Sequence, residues 1–548
     1  MTYDFFVRDR LPPPELLPEF RFDLPELQYP ARLNAAAELL KGGNPDSPAV
    51  VNDHGRWTYA DLDAFSGRIA RLLVEEEGLM PGNRVLLRGP NTMTMFAAWL
   101  GVLKAGGVVV ATMPLLRPGE IATVIERAQI SHAIVDSRFI GDFRQAVDQT
   151  HFVRSIVKYD GDYGHGELET RSASLEPLPP VDTHRDDPAL IAFTSGTTGV
   201  PKGCVQFHRD VLAPCDSFAK QLIGMKPGDV ALTSAPMAFT FGLGAAFLFP
   251  LRAGAACATI EQPSPPAMLE AIAKHGVTHL GTAPTAYKAM LSQPGLETAL
   301  ETLRYCLSAG EHLPEATWRA WKERTGIAIT DGIGSTEMMH IFVSAAGDDI
   351  LPGATGKAVP GYIATVLDDF GEPKTEGTGR LAIKGPTGCR YLDDPRQRDY
   401  VVNGWNVTGD TYRRDAEGYY WYLARSDDMI VSSGYNIGAP EVENALLSHP
   451  AVAECAVIGV PCPERGQKVK AFVVLAADAQ PSDELVAELQ AHAKAQIAPY
   501  KYPREIEFVE ALPKTATGKL RRSELRTASS PAKAGVQGGH PPAQKSVG

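Results

Sequence analysis

Thr194-Ser195-Gly196-Thr197-Thr198-Gly199-Val200-Pro201-Lys202-Gly203 gathers hydroxyls, glycines and a lysine into one short segment. It follows the apolar run Ala189-Leu190-Ile191-Ala192-Phe193, which reads as a buried strand. Glycines let backbone N–H groups come close to an anion, hydroxyls donate hydrogen bonds, and the lysine adds a full charge. That combination suits a polyphosphate. The spacing departs from the phosphate loop Gly-x4-Gly-Lys-Ser/Thr, because Lys202 stands three residues beyond Gly199. The segment points to nucleotide chemistry of another kind, with kinase, ATPase and ligase all open.

Around this segment, short β-rich runs alternate with amphipathic helical stretches as far as residue 425. Arg84–Arg88 reads as a strand, Thr92–Lys104 as a helix and Gly107–Ala111 as a strand. The alternation predicts an α/β fold with parallel sheets covered by helices. Prolines make Leu11–Pro18 an extended arm and Glu176–Pro180 a linker. After Arg425 the texture changes. Met429–Val431, Ala456–Val460, Lys470–Leu475 and Glu505–Val509 read as strands, and Pro440 opens a helix through Leu447. Ser482 caps a further helix carrying Leu485, Leu489 and Ala493. The expected organisation is a large domain over 1–426, a small α+β domain over 427–526, and a disordered Ala/Gly/Pro/Ser-rich tail over 527–548.

Composition narrows the function. Across 548 residues, 44% apolar and 22% charged content is that of a soluble globular protein. A net charge of −12 argues against non-specific contact with nucleic acid or an anionic membrane. The seven cysteines form no Cys-x-x-Cys pair, which fits a reducing compartment. Asp4, Arg8, Asp9 and Arg10 break any secretory apolar core, so a cytoplasmic protein is expected. The charge-free stretch between Asp229 and Arg252 is interrupted by Pro236, Gly242, Gly244 and Pro250, and reads as buried strand and helix beside a pocket rather than a membrane span. His275 and His279 stand four apart with Gly276 between them and no third ligand evident, and no Gly-x-Ser-x-Gly elbow occurs.

Further segments sharpen the phosphate reading. Asp331-Gly332-Ile333-Gly334-Ser335-Thr336-Glu337 sets a carboxylate three residues past a glycine pair. Thr408-Gly409-Asp410 offers a carboxylate on a tight turn, Arg425-Ser426-Asp427-Asp428 sits at the change of texture, and Pro513-Lys514-Thr515-Ala516-Thr517-Gly518-Lys519 is a glycine-tipped loop ending in lysine. In this order, the segments resemble the adenylate-forming superfamily of acyl-CoA synthetases, peptide-synthetase adenylation domains and beetle luciferases. The resemblance runs from about Leu33 to Leu525. It implies the acyl-CoA synthetase-like fold, a mobile C-terminal domain, and two half-reactions at one site.

By that resemblance, Thr194, Ser195, Gly196, Thr197, Thr198, Gly199 and Lys202 hold the leaving phosphates of ATP. Glu337 ligates Mg²⁺, Thr336 contacts the α-phosphate, and Lys519 bridges the carboxylate and the α-phosphate. Ser308, Ala309, Gly310 and Glu311 with Asp331, Gly332, Ile333 and Gly334 form the adenine slot, and Asp410, supported by Arg425, takes the ribose hydroxyls. Asp427 is the hinge whose pivot replaces Lys519 with Ser433, Gly434 and Tyr435 for attack by the thiol of coenzyme A. Ala424 and Val431 depart from the family's usual glycine and lysine there. Lys519 also resembles the lysine that protein acetyltransferases modify in related synthetases.

Pro236-Met237-Ala238-Phe239-Thr240-Phe241-Gly242 lacks the aspartate with which peptide-synthetase domains bind an α-ammonium group. Asp331–Phe342 resembles benzoate-CoA ligases, and the segments 26–40 and 426–443 resemble 2-aminobenzoate-CoA ligases. The resemblance implies a small aromatic acid in a flat pocket lined by Phe239, Ala309, Gly334, His340 and Ile341. A medium-chain fatty or hydroxybenzoic acid, and a non-catalytic nucleotide- or acyl-binding protein, remain the alternatives. Monomer and homodimer are both open.

Overall fold

Continuous apolar runs such as Arg84–Arg88 and Val108–Thr112 are buried on both faces, as parallel strands between helical layers must be. The computed structural model describes residues 3–194, 201–425, 428–432, 435–462, 464–514 and 520–529. They fall into two compact units that divide between Tyr422 and Leu423.

In the first unit, Ser155–Tyr159, His132–Asp136, Arg84–Arg88, Val108–Thr112 and Pro188–Thr194 lie side by side in parallel, and Lys202–Phe207 returns antiparallel to the last of them. Thr92 caps the helix Met93–Lys104 by accepting from the Met95 N–H, and every residue of that helix is buried. It is a central helix, apolar all round rather than amphipathic.

A second sheet has a parallel middle of Ile329–Gly334, Tyr305–Ser308, His279–Thr282, Val230–Thr233, Ala256–Ala258 and Pro48–Asn52, with antiparallel strands at both ends. Thr233, Thr282 and Ser308 end their strands along one edge, the side on which open α/β sheets bind ligands. The charge-free stretch becomes the strand Val230–Thr233, the helix Thr240–Leu243, a π-helical turn over Gly244–Leu248 and the helix Phe249–Ala253. Among the described residues no helix is long and apolar enough to cross a membrane.

Two expectations need correction. The parallel pattern does not extend to the third sheet, where Ile363–Leu367, Gly377–Lys384 and Trp405–Arg414 pair antiparallel. Chain reversals near Asp368–Gly371 replace crossover helices there, and antiparallel pairing follows. Thr408–Asp410 is not a tight turn. Arg380 pairs with Thr411 and Ala382 with Val407, so residues 408–410 bulge from within a strand opposite Leu381. The Asp410 N–H donates to Thr408 Oγ1 at 3.2 Å inside that bulge.

In the second unit, Tyr435–Ile437, Ile430–Ser432, Gly466–Leu475 and Val452–Cys462 form an antiparallel sheet, joined in parallel by Glu505–Phe508. Ser482 caps Asp483–Gln496 by accepting from the Leu485 N–H, and Leu489 and Ala493 are buried, as their spacing predicts. The helix Arg522–Ser529 includes the first residues of the expected tail.

Candidate active site

The phosphate segment hangs from one strand pair. Thr194 ends its strand opposite Lys202, which begins the next. The Arg127 guanidinium fixes the base of this segment: Nη1 donates to the Pro201 carbonyl at 2.9 Å and Nη2 to Asp394 at 3.0 Å. Although Asp394 is buried, hydrogen bonds from Arg396 and Arg127 pull its carboxyl down to about 2. Ser195, Gly196, Thr197, Thr198 and Gly199 lie outside the described residues.

Lys202 does not stand alone. The far edge of its strand pairs with residues 390–392: the Val205 N–H donates to the Arg390 carbonyl and the Leu392 N–H to the Gly203 carbonyl, both at 2.8 Å. This pairing sets Tyr391 beside Lys202. Lys202 Nζ donates to the Tyr391 hydroxyl at 2.6 Å, and that hydroxyl donates to Glu337 Oε1 at 2.5 Å. Nζ also lies 3.5 Å from Glu337 Oε1. Burial, then the Glu337 charge, pushes the Tyr391 phenol far above its ordinary range, so it remains a protonated donor. Glu337 is held from behind by the Gln206 amide, which donates to the Thr336 and Glu337 carbonyls at 2.9 and 3.2 Å.

Past Glu337 the chain reverses through Met339, which is buried and left-handed at φ 67°. That conformation is costly for a side chain of this kind and recurs where a site fixes the backbone. The reversal delivers His340 among the rings of Phe249, Phe218 and Phe241, with centroids 4.5, 5.8 and 5.8 Å away. His340 Nε2 lies 3.3 Å from the Phe241 carbonyl, which can only accept, so Nε2 carries the proton. Nδ1 is then a bare acceptor, buried with no partner among the described residues. Burial brings the imidazole pKa down to about 3, so the ring is neutral at physiological pH.

Two glycines make this packing possible. A Cβ on Gly244 would stand 2.4 Å from His340 Cδ2, and one on Gly334 would stand 2.6 Å from the His340 carbonyl oxygen. Gly334 pairs with Ile341, and Ile341 shares a core cluster with Ala309. Phe239, 38% exposed, begins the helix Thr240–Leu243 and is not in that cluster. Phe218, Phe241, Phe249, Gly244, Gln206 and Tyr391 were not assigned to the site from the sequence. Only Phe241, alternating with Phe239 in Phe239-Thr240-Phe241, carried a visible signal.

Ser308 and Asp331 face each other in register, with Ala309, the left-handed Gly310 and Glu311 following Ser308. Asp331 retains partial exposure, but its Oδ1 is covered and has no hydrogen-bond partner among the described residues. Burial pushes its carboxyl up to about 7 against the opposing Gly332 amide. Gly332 and Ile333 continue the strand toward half-buried Thr336. Asp410 occupies the bulge. In the second unit, Arg425 ends its strand and the half-exposed Tyr435 stacks on Tyr500 at 4.4 Å. Asp427, Ser433, Gly434 and Lys519 lie outside the described residues.

The donor set fits a magnesium ion that arrives with a nucleotide. No cluster of three or more His, Cys, Asp or Glu suited to a metal occurs among the described residues, including His275 and His279. A single carboxylate such as Glu337, with phosphate and water completing the shell, is how Mg²⁺ is commonly held.

Residues 40–390 match the model of the AMP-binding enzyme family, and residues 441–519 match the AMP-binding enzyme C-terminal domain. The chain is 37% identical to the benzoate–CoA ligase of Thauera aromatica, over 92% of this chain and 98% of that one. The anthranilate CoA ligase AuaEII, solved in complex with anthranoyl-AMP, superposes with a TM-score of 0.87 at 33% identity, covering 92% of this chain and 99% of that one. A benzoate CoA ligase from Burkholderia xenovorans LB400 gives a TM-score of 0.83 at 34% identity, covering 90% and 100%.

Proposed function

The chain belongs to the AMP-binding enzyme family and is an AMP-forming acid–thiol ligase, and from that premise we propose that its preferred acid is 2-aminobenzoate, with benzoate accepted second. The observation that carries this reading is His340. A neutral imidazole ringed by three phenylalanines leaves one buried acceptor, Nδ1, unpaired among the described residues. An aryl acid with an ortho amino group brings the missing N–H donor; benzoate does not. The AuaEII complex, whose ligand is anthranoyl-AMP, supports the same assignment.

The acid's carboxylate oxygen bonds to the α-phosphorus of ATP while the bond to the β-phosphate oxygen breaks and pyrophosphate leaves. The CoA thiolate then attacks the acyl carbon and AMP departs. Magnesium, when bound, would offset the repulsion between the phosphates and the incoming carboxylate. Lys202 holds the departing phosphates, Glu337 presents its carboxylate to the metal, and the phenylalanine rings exclude water around the acid's ring. Asp331 reads adenine, Asp410 and Arg425 serve the ribose, and Lys519 approaches the α-phosphate.

Thioester formation across an acid panel tests the substrate assignment. His340→Phe should lower kcat/KM for 2-aminobenzoate about tenfold, the scale of one lost buried hydrogen bond, and leave benzoate within about threefold. Equal losses for both acids, or a preference for a medium-chain fatty acid in the unaltered enzyme, would contradict it.

A further inference from the structure

A tightly bonded polar cluster in the first unit is a chain of three groups: Lys202 Nζ, the Tyr391 hydroxyl and Glu337 Oε1. Only its two ends have a role in the reading above. Tyr391 is 1% exposed, and its ring lies 4.6 Å from Nζ and 5.9 Å from the Tyr400 ring. Tyr400 is tied in turn to Ser335 at 3.1 Å, two residues before Glu337. The phenol is therefore clamped on both sides, while Lys202 and Glu337 are the members that must turn toward ligands.

We propose that Tyr391 is a positioning residue that keeps Lys202 and Glu337 from neutralising each other. Its hydroxyl takes the lysine's proton donor on one side and fills the carboxylate's acceptor on the other. The ammonium and the carboxylate thus remain 3.5 Å apart rather than in full contact. A charge-assisted contact in a largely buried site is strong enough to compete with a ligand phosphate. Without the hydroxyl, the pair closes directly, Lys202 is withdrawn from the polyphosphate, and Glu337 is withdrawn from the metal. With it, each charge exchanges a single hydrogen bond to an uncharged partner for its ligand when the nucleotide arrives. The inference rests on the reading that Lys202 holds the nucleotide phosphates.

Equilibrium binding of ATP in the presence of a metal chelator tests it without turnover. Tyr391→Phe should weaken metal-free ATP binding by about tenfold, one hydrogen-bonded charge redirected. Adding Glu337→Gln to that variant should restore binding to within about twofold of the unaltered protein, because the competing carboxylate is gone. Unchanged binding in Tyr391→Phe overturns the proposal, as does a loss that Glu337→Gln fails to rescue, which would mark Tyr391 as packing alone. If Tyr391→Phe does not fold, Glu337→Gln alone reads the same competition: with the hydroxyl in place the carboxylate does not hold Lys202, so metal-free ATP binding should stay within about twofold of the unaltered protein, and a larger change overturns the proposal. Absence of ATP binding in the unaltered protein would instead count against the nucleotide reading, and the inference would fall with it.

Discussion

Asp331 shows how one carboxylate can tie recognition to pH. Its carboxyl is pushed up to about 7 by burial, so it is protonated below that value and ionised above it. If it accepts the adenine amino group, as proposed, the ionised form binds better. ATP affinity should then rise as pH increases through about 7 and level off near pH 8, measured by titration at fixed ionic strength. Asp331→Asn offers a carbonyl acceptor at every pH and should flatten that slope; a slope that survives the substitution would reject the role. The folding term has its own sign. A carboxyl whose folded pKa is raised contributes stability below its unfolded pKa of about 4 and loses it as pH rises toward 7. Glu337 and His340 were named as candidate site residues because the stretch Asp331–Phe342 resembles a known family. Tyr391 was not, because nothing within its own stretch of chain points to Lys202, 189 positions away. Strand pairing alone joins them.

At the scale of elements, the site depends on two local departures from regular structure. One is the left-handed Met339 between Glu337 and His340, and the other is the π-helical turn Gly244–Leu248 that brings Gly244 against the imidazole. Gly244→Ala should cost about 1–3 kcal/mol of stability by overpacking and raise KM for the acid roughly tenfold, with metal-free ATP binding unchanged. Gly119→Ala is the counterpart: a Cβ there meets nothing within 4 Å, and a gain of about 0.4–1 kcal/mol is expected in chemical denaturation. Parallel strands and capped helices were readable from the sequence because apolar runs, Thr92 and Ser482 carry local physical signals. The bulge at 408–410 and the antiparallel third sheet were not. A Thr-Gly-Asp triplet has turn chemistry, and only its partner strand shows that three residues oppose Leu381.

At the scale of the whole molecule, the sequence changes texture near Arg425, and the backbone divides at Tyr422–Leu423. Order of motifs, rather than any one motif, carried the reaction class, since in the sequence Glu337, Asp410 and Lys519 taken singly read as a helix-capping carboxylate, a turn residue and a solvated lysine. We propose that Asp427 acts as the pivot between the half-reactions. Asp427→Pro should leave adenylate formation within about threefold while reducing thioester formation by about tenfold or more, measured separately by rapid quench. Equal loss of both would remove the hinge assignment. The central claim is that the chain joins an aromatic acid to AMP before any thiol takes part. Its most direct test is exchange of labelled pyrophosphate into ATP without CoA: 2-aminobenzoate, and more weakly benzoate, should drive exchange, whereas no exchange with any aromatic acid would contradict the claim.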